Sequence, residues 1–246
     1  LGNGNEATML MAYVYCQSGY KMRLGTVGNR VYLLYGSDHC IYDAAYFYID
    51  GEKFYPFKCD EKQMSICGAS FPKEQALSLM IPERLLLAYD KTNNRTLQSA
   101  RYPDVKAEVS VNKNLIDFYN SYPTSTIGND FMTRWAMYAN CPMEKEVADS
   151  LYPALKAKIT GADKKKAAER LLNFVQTAFV YEYDDKVWGH DRAFFAEETL
   201  YYPYCDCEDR SILFSRLVRD LLGLDVVLVV YPGHLATAVC FDEEVN

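Results

Sequence analysis

No apolar run in the 246-residue sequence approaches the ~20 residues that cross a bilayer, so no membrane span is expected. A basic stripe is missing too: 26 Lys and Arg stand against 33 Asp and Glu, a formal charge of −7. That balance opposes binding to phosphate backbones and argues against a nucleic-acid partner. The short run Lys164-Lys165-Lys166 reads as the solvated face of a helix. No CxxC pair occurs, and the eight cysteines (Cys16, Cys40, Cys59, Cys67, Cys141, Cys205, Cys207 and Cys240) lack the regular spacing of a small disulfide scaffold. Their disulfide state is left open. The chain starts at Leu1 without an initiator Met or a charged-then-apolar leader. The reading leans toward an extracytoplasmic location, periplasmic or secreted, with the leader absent from this chain. What the sequence does have is tyrosine, 21 residues of it. Amphipathic rings in that number suit half-exposed strands and clefts, a surface built to be touched.

Three regions follow from the pattern along the chain. Residues 1–75 read as an α+β unit: an apolar helix through Met9, Leu10, Ala12, Tyr13 and Cys16, a turn at Ser18-Gly19, and strands near Tyr20–Leu24 and Arg30–Tyr35. Asp50-Gly51 between aromatic-rich runs predicts a further hairpin. Residues 76–128 read as a β-rich connecting segment, and residues 129–246 as the chemical core. In that core, Asp163 caps a helix whose apolar stripe runs through Ala168, Leu171, Leu172, Val175, Ala178 and Phe179. After an aromatic loop, a helix over 207–222 stops at Gly223, and two β-rich runs follow with Pro232-Gly233 turning between them.

Cys207 falls at the start of that helix, with Glu208 and Asp209 in its first turn. The positive end of the backbone dipole stabilises a thiolate, so a lowered thiol pKa is expected there. Unpaired backbone N–H groups at the same helix start can hold the oxyanion of a tetrahedral intermediate. A returning strand that opens at His234 brings an imidazole back toward Cys207. Cys and His on separate elements form the constellation in which a base activates a thiol for acyl transfer.

The stretch "DCEDRSILFSRLVRDLLGL" followed by "GHLATAV" resembles the core of the transglutaminase-like superfamily, bacterial type, which has a papain-like cysteine protease fold. The resemblance covers roughly residues 145–246. It implies an α+β fold with a Cys-bearing helix packed on an antiparallel sheet, Cys207 as nucleophile and His234 as base. It implies a peptide or protein substrate and no cofactor or metal. The acid that orients the family's histidine lies on the strand after it. It is expected beyond Asn246, and Asp242, placed where a hairpin turn is expected, is a poor candidate. Trp188 is a weak candidate oxyanion donor, with packing as the alternative.

Cys205 precedes the helix and lacks its dipole, so it reads as a bystander; a metal site from the C-x-C pair would need His190 as a further ligand. Aligning Gly19 with Gly223, an offset of 204, lays the N-terminal unit on the core as a candidate degenerate copy, with Asn3 facing Cys207 and Arg30 facing His234. Two functions remain open: a thiol-dependent peptidase, amidase or acyltransferase, and a catalytically inactive module that binds protein or glycan. Family resemblance does not choose between them, and oligomeric state is left open.

Overall fold

The computed structural model of the chain describes residues 2–59, 61–81 and 85–241. It is mixed α+β, as the sequence predicts. The elements run α1 (Asn5–Gln17), β1 (Met22–Val27), β2 (Arg30–Gly36), β3 (His39–Ile41), β4 (Phe47–Ile49), β5 (Glu52–Pro56) and β6 (Ser65–Cys67). Then come β7 (Arg95–Gln98), β8 (Lys106–Val109), α2 (Lys113–Ser121), β9 (Ser125–Ile127), α3 (Met132–Asn140), α4 (Lys145–Ile159) and α5 (Lys164–Thr177). The remainder is β10 (Val180–Tyr181), α6 (Asp184–Val187), α7 (Ala196–Tyr201), β11 (Tyr204–Cys205), α8 (Cys207–Leu222), β12 (Val226–Tyr231) and β13 (His234–Val239). Among the described residues, no helix is long and apolar enough to cross a membrane.

The chain divides into two compact units, residues 1–84 with 123–134, and residues 85–122 with 135–246. This differs from the boundaries at 75 and 128 read from the sequence. The reason lies in β7, β8 and α2, where Leu97, Val105, Ala107, Val109, Val111 and Ile116 are buried in the main core of the second unit. Short strands with polar outer faces look like a linker in sequence, yet their inner faces close that core.

In the first unit a five-stranded antiparallel sheet has the order β4-β5-β2-β1-β6. The predicted turn between β4 and β5 is present: Asp50 and Gly51 have φ of 54° and 82°, the left-handed pair that a two-residue hairpin loop requires. Ala12 of α1 packs with Met22 and Leu33 of the sheet. Arg23, buried beside Phe54, is held by both carboxylate oxygens of Glu74 at 2.8 and 2.9 Å. Pairing of β3 with β9 ties residues 125–127 to this unit.

The second unit is organised around α8. Ile212, Leu213, Leu217 and Val218 are wholly buried, and each such side chain contributes roughly 1.5–3 kcal/mol relative to exposure. The helix has the predicted span, and Gly223 ends it in the left-handed conformation at φ 62°. Asp163 caps α5, accepting from the Lys166 N–H at 2.7 Å. Of the expected stripe, Leu172 is 37% exposed, and Phe174, one turn from Leu171, takes the core position instead. Strands β12 and β13 form an antiparallel hairpin closed by the pair Tyr231 and His234, with Gly233 at φ 68° in the turn.

Candidate functional site

Cys207 is the first residue of α8 and is half-buried. Strand β13 is fastened along the start of this helix by two reciprocal bonds. The Ser211 hydroxyl donates to the Leu235 carbonyl at 2.9 Å, and the Thr237 hydroxyl donates to the Ser211 carbonyl at 3.0 Å. The Leu235 backbone N–H, facing away from the hairpin, is directed toward the Cys207 sulfur and favours its charged form. On the other side Asp209, wholly buried, accepts from the Phe194 N–H at 2.8 Å and the Asp206 N–H at 3.2 Å. That residue fixes both the aromatic loop and the entry into α8.

The thiol's electrostatics differ from the sequence expectation. Cys207 donates to Glu208 Oε2 at 3.0 Å. Its pKa is pushed up to about 12, first by burial and then by the Glu208 bond and the charges of Glu208 and Asp206, with the Leu235 N–H acting the other way. A helix start lowers a thiol pKa only while nothing more strongly charged stands nearer. Here carboxylates do.

Those carboxylates are the part of the site that the sequence reading missed. Oxygen atoms of Asp184, Asp206 and Asp209 lie within 4.8 Å of one another; so do donor atoms of Asp206, Cys207 and Glu208, and of Asp184, Asp191 and Glu208. Asp184 is raised to about 6, chiefly by burial and then by Glu208 and Asp191, with the Arg192 N–H opposing. Asp206 is raised to about 8, again by burial first, then by Glu208 and Asp184. Burial together with Asp206 and Glu208 also lifts Asp209 well above the usual carboxylate range. Three acids around Cys207 were visible in "DCED", but they read as ordinary first-turn residues. The approach of Asp184, from α6, leaves no local signal.

His234 opens β13 as predicted, immediately before the residue that touches the thiol. Its ring is exposed and stacks near Tyr231, 6.4 Å between centroids. The thiol proton goes to Glu208, and among the described residues no hydrogen bond joins His234 to Cys207. Trp188 is occupied in packing: its ring meets Phe194 and Tyr202 edge-on at 5.8 and 5.0 Å, under the Arg192 guanidinium at 4.2 Å. Cys205 is buried, accepts from Arg210 Nε at 3.4 Å, and is pushed up to about 11 chiefly by burial, in keeping with a bystander. His190 is exposed and bonds the Trp188 carbonyl at 3.0 Å, in none of the ligand clusters. All eight cysteines are free thiols. Asp242 lies outside the described residues. A cleft of about 470 Å³ lined by Asp90, Arg95, Lys113 and Tyr201 includes neither Cys207 nor His234.

Comparison with known proteins returns no match to any family model, curated protein or solved structure.

Proposed function

We propose that the second unit is a transglutaminase-like thiol enzyme, a peptidase, amidase or acyltransferase, with Cys207 as nucleophile and His234 as base. The observation that carries this reading is the pair of bonds between Ser211 and strand β13, to the Leu235 carbonyl and from the Thr237 hydroxyl: the strand opened by His234 is docked along the start of the Cys-bearing helix. In the reaction the Cys207 sulfur attacks the carbonyl carbon of a peptide or amide, and helix-start N–H groups hold the oxyanion. His234 takes the thiol proton and returns it to the leaving amine. Water or a second amine then releases the acyl group. For this to proceed, His234 replaces Glu208 as the partner of the thiol. The exchange requires the exposed imidazole to turn from its place beside Tyr231 toward the sulfur.

The second reading, an inactive binding module, is favoured by one observation, the thiol raised to about 12 among acids. Site-resolved alkylation by iodoacetamide, read by peptide mass mapping near neutral pH, separates the two. The enzyme reading expects Cys207 to react faster than Cys205 and Cys141, and to slow in His234→Ala. A Cys207 rate no faster than those two thiols removes the enzyme reading in favour of the module.

A further inference from the structure

We propose that Asp184, Asp206 and Glu208 form a binding site for a hard divalent cation beside Cys207. The three do not share one 4.8 Å cluster; each pair falls in a different one, Asp184 with Asp206 beside Asp209, Asp206 with Glu208 beside Cys207, and Asp184 with Glu208 beside Asp191. One ion bridging two oxygens at about 2.1–2.6 Å spans a separation of about 4.2–5.2 Å, so the spacing suits Mg²⁺, Mn²⁺ or Ca²⁺. An all-carboxylate set selects the same class over softer metals, and the Cys207 sulfur stands at its margin.

The independent observation is an orphan oxygen. Asp206 is 7% exposed, and its Oδ1 is buried with no hydrogen-bond partner. A buried acceptor left unsatisfied costs roughly 1–3 kcal/mol, more when charged. A cation held among the carboxylates supplies that oxygen with a partner. Nor does the protein supply its own counter-charge: among the described residues, none of Asp184, Asp206, Glu208 and Asp209 forms an ion pair with Lys or Arg. Arg192, the nearest guanidinium to Asp184 in sequence, pairs with Glu198 at 2.9 Å. The dipole of α8 opposes a cation with about half a charge, against several carboxylates that favour it. Engaging Glu208 with the ion would also take away the acceptor that now holds the thiol proton.

The site does not depend on the thiol reading, because its ligands are oxygens. The test is calorimetric titration of the full chain, stripped with EDTA and dialysed, with Mg²⁺, Mn²⁺ and Ca²⁺ in separate arms, alongside thermal melts. One ion per chain is expected for at least one of the three, with a rise in Tm. Asp206→Asn, which keeps a good helix cap, should weaken binding at least about tenfold, while Cys207→Ala should bind as the wild type does. If Asp206→Asn fails to fold by circular dichroism, Glu208→Gln decides by the same criterion. No heat and no change in Tm for all three ions at millimolar concentration overturns the proposal, and so does undiminished binding by Asp206→Asn or, where that variant does not fold, by Glu208→Gln. The alkylation result can fail or succeed without changing either outcome.

Discussion

The chain contains two helix–glycine–hairpin units, one in each compact body, and their hairpins share a register. Strands β1 and β2 pair from Met22 with Tyr35 to Val27 with Arg30; β12 and β13 pair from Val226 with Val239 to Tyr231 with His234, each position shifted by 204. In both, the N–H of the second residue of the second strand is directed at the first residue of the helix. Val31 donates to Asn5 Oδ1 at 3.0 Å, and the Leu235 N–H faces the Cys207 sulfur. The sequence alignment set Asn3 opposite Cys207. Helix α1 has 13 residues and α8 has 16, so the residue that takes this place is Asn5.

What differs is the surroundings. Asn5 also donates to the Asn29 carbonyl at 2.8 Å, which leaves a neutral, satisfied clamp. Before it stands Gly4 and after it exposed Glu6 and half-buried Ala7, where α8 has Asp206, Glu208 and Asp209, all buried. The same backbone frame thus supports a structural amide in one unit and a thiol among carboxylates in the other. Chemistry resides in the residues placed on the frame and in how deeply they are buried.

The largest expected effect comes from carrying the first unit's residue into the second. Asp209→Ala matches Ala7 and strands two buried N–H groups, those of Phe194 and Asp206. A loss of about 3 kcal/mol is expected from urea unfolding followed by tryptophan fluorescence. Both tryptophans, Trp135 and Trp188, lie in the second unit, so this signal reports it. A loss below about 0.5 kcal/mol would show that the acid does not hold the loop to α8.

Next is the pH dependence, where the two units are opposite in sign. Glu197 of α7 is wholly buried and raised to about 7, mainly by burial. The folded state holds that proton more tightly than the unfolded chain, so stability is greatest below about 4.5 and about 3 kcal/mol is lost as pH rises to about 7. In Glu197→Gln the fluorescence-detected loss over this window should shrink by about 3 kcal/mol, with Asp184, Asp206 and Asp209 supplying the remainder. Glu74 of the first unit is lowered by its bond to Arg23. Its contribution is present above the ordinary glutamate pKa and lost as pH falls, a trend that Glu74→Gln should abolish in circular dichroism melts.

Smaller changes probe the shared clamp itself. Asn5→Ala removes one acceptor and one donor and should cost about 1–2 kcal/mol. Cys207→Asn places the amide of the first unit on the frame of the second, and stability within about 1 kcal/mol of the wild type is expected. A collapse of Cys207→Asn in the same urea titration would separate the two frames.

The sequence carried the frame well because its signals are local. The span of α8 follows from its apolar spacing and Gly223, and the hairpins follow from Asp50-Gly51 and Pro232-Gly233. The thiol's environment was not legible, since helix position alone predicts a lowered pKa, while burial and the distant Asp184 depend on the folded chain. The unit boundaries escaped for a related reason: Val109 and Ile116 are core residues only by virtue of the later helices that cover them.

The most direct test of the central claim, that the start of α8 is a reactive centre served by the strand of His234, is the alkylation rate of Cys207 in three proteins. The account predicts that Cys207 outpaces Cys205 and Cys141 in the wild type, slows in His234→Ala, and quickens in Glu208→Gln, where the acceptor holding its proton loses its charge. Equal rates at all three cysteines, unchanged by either substitution, would contradict it.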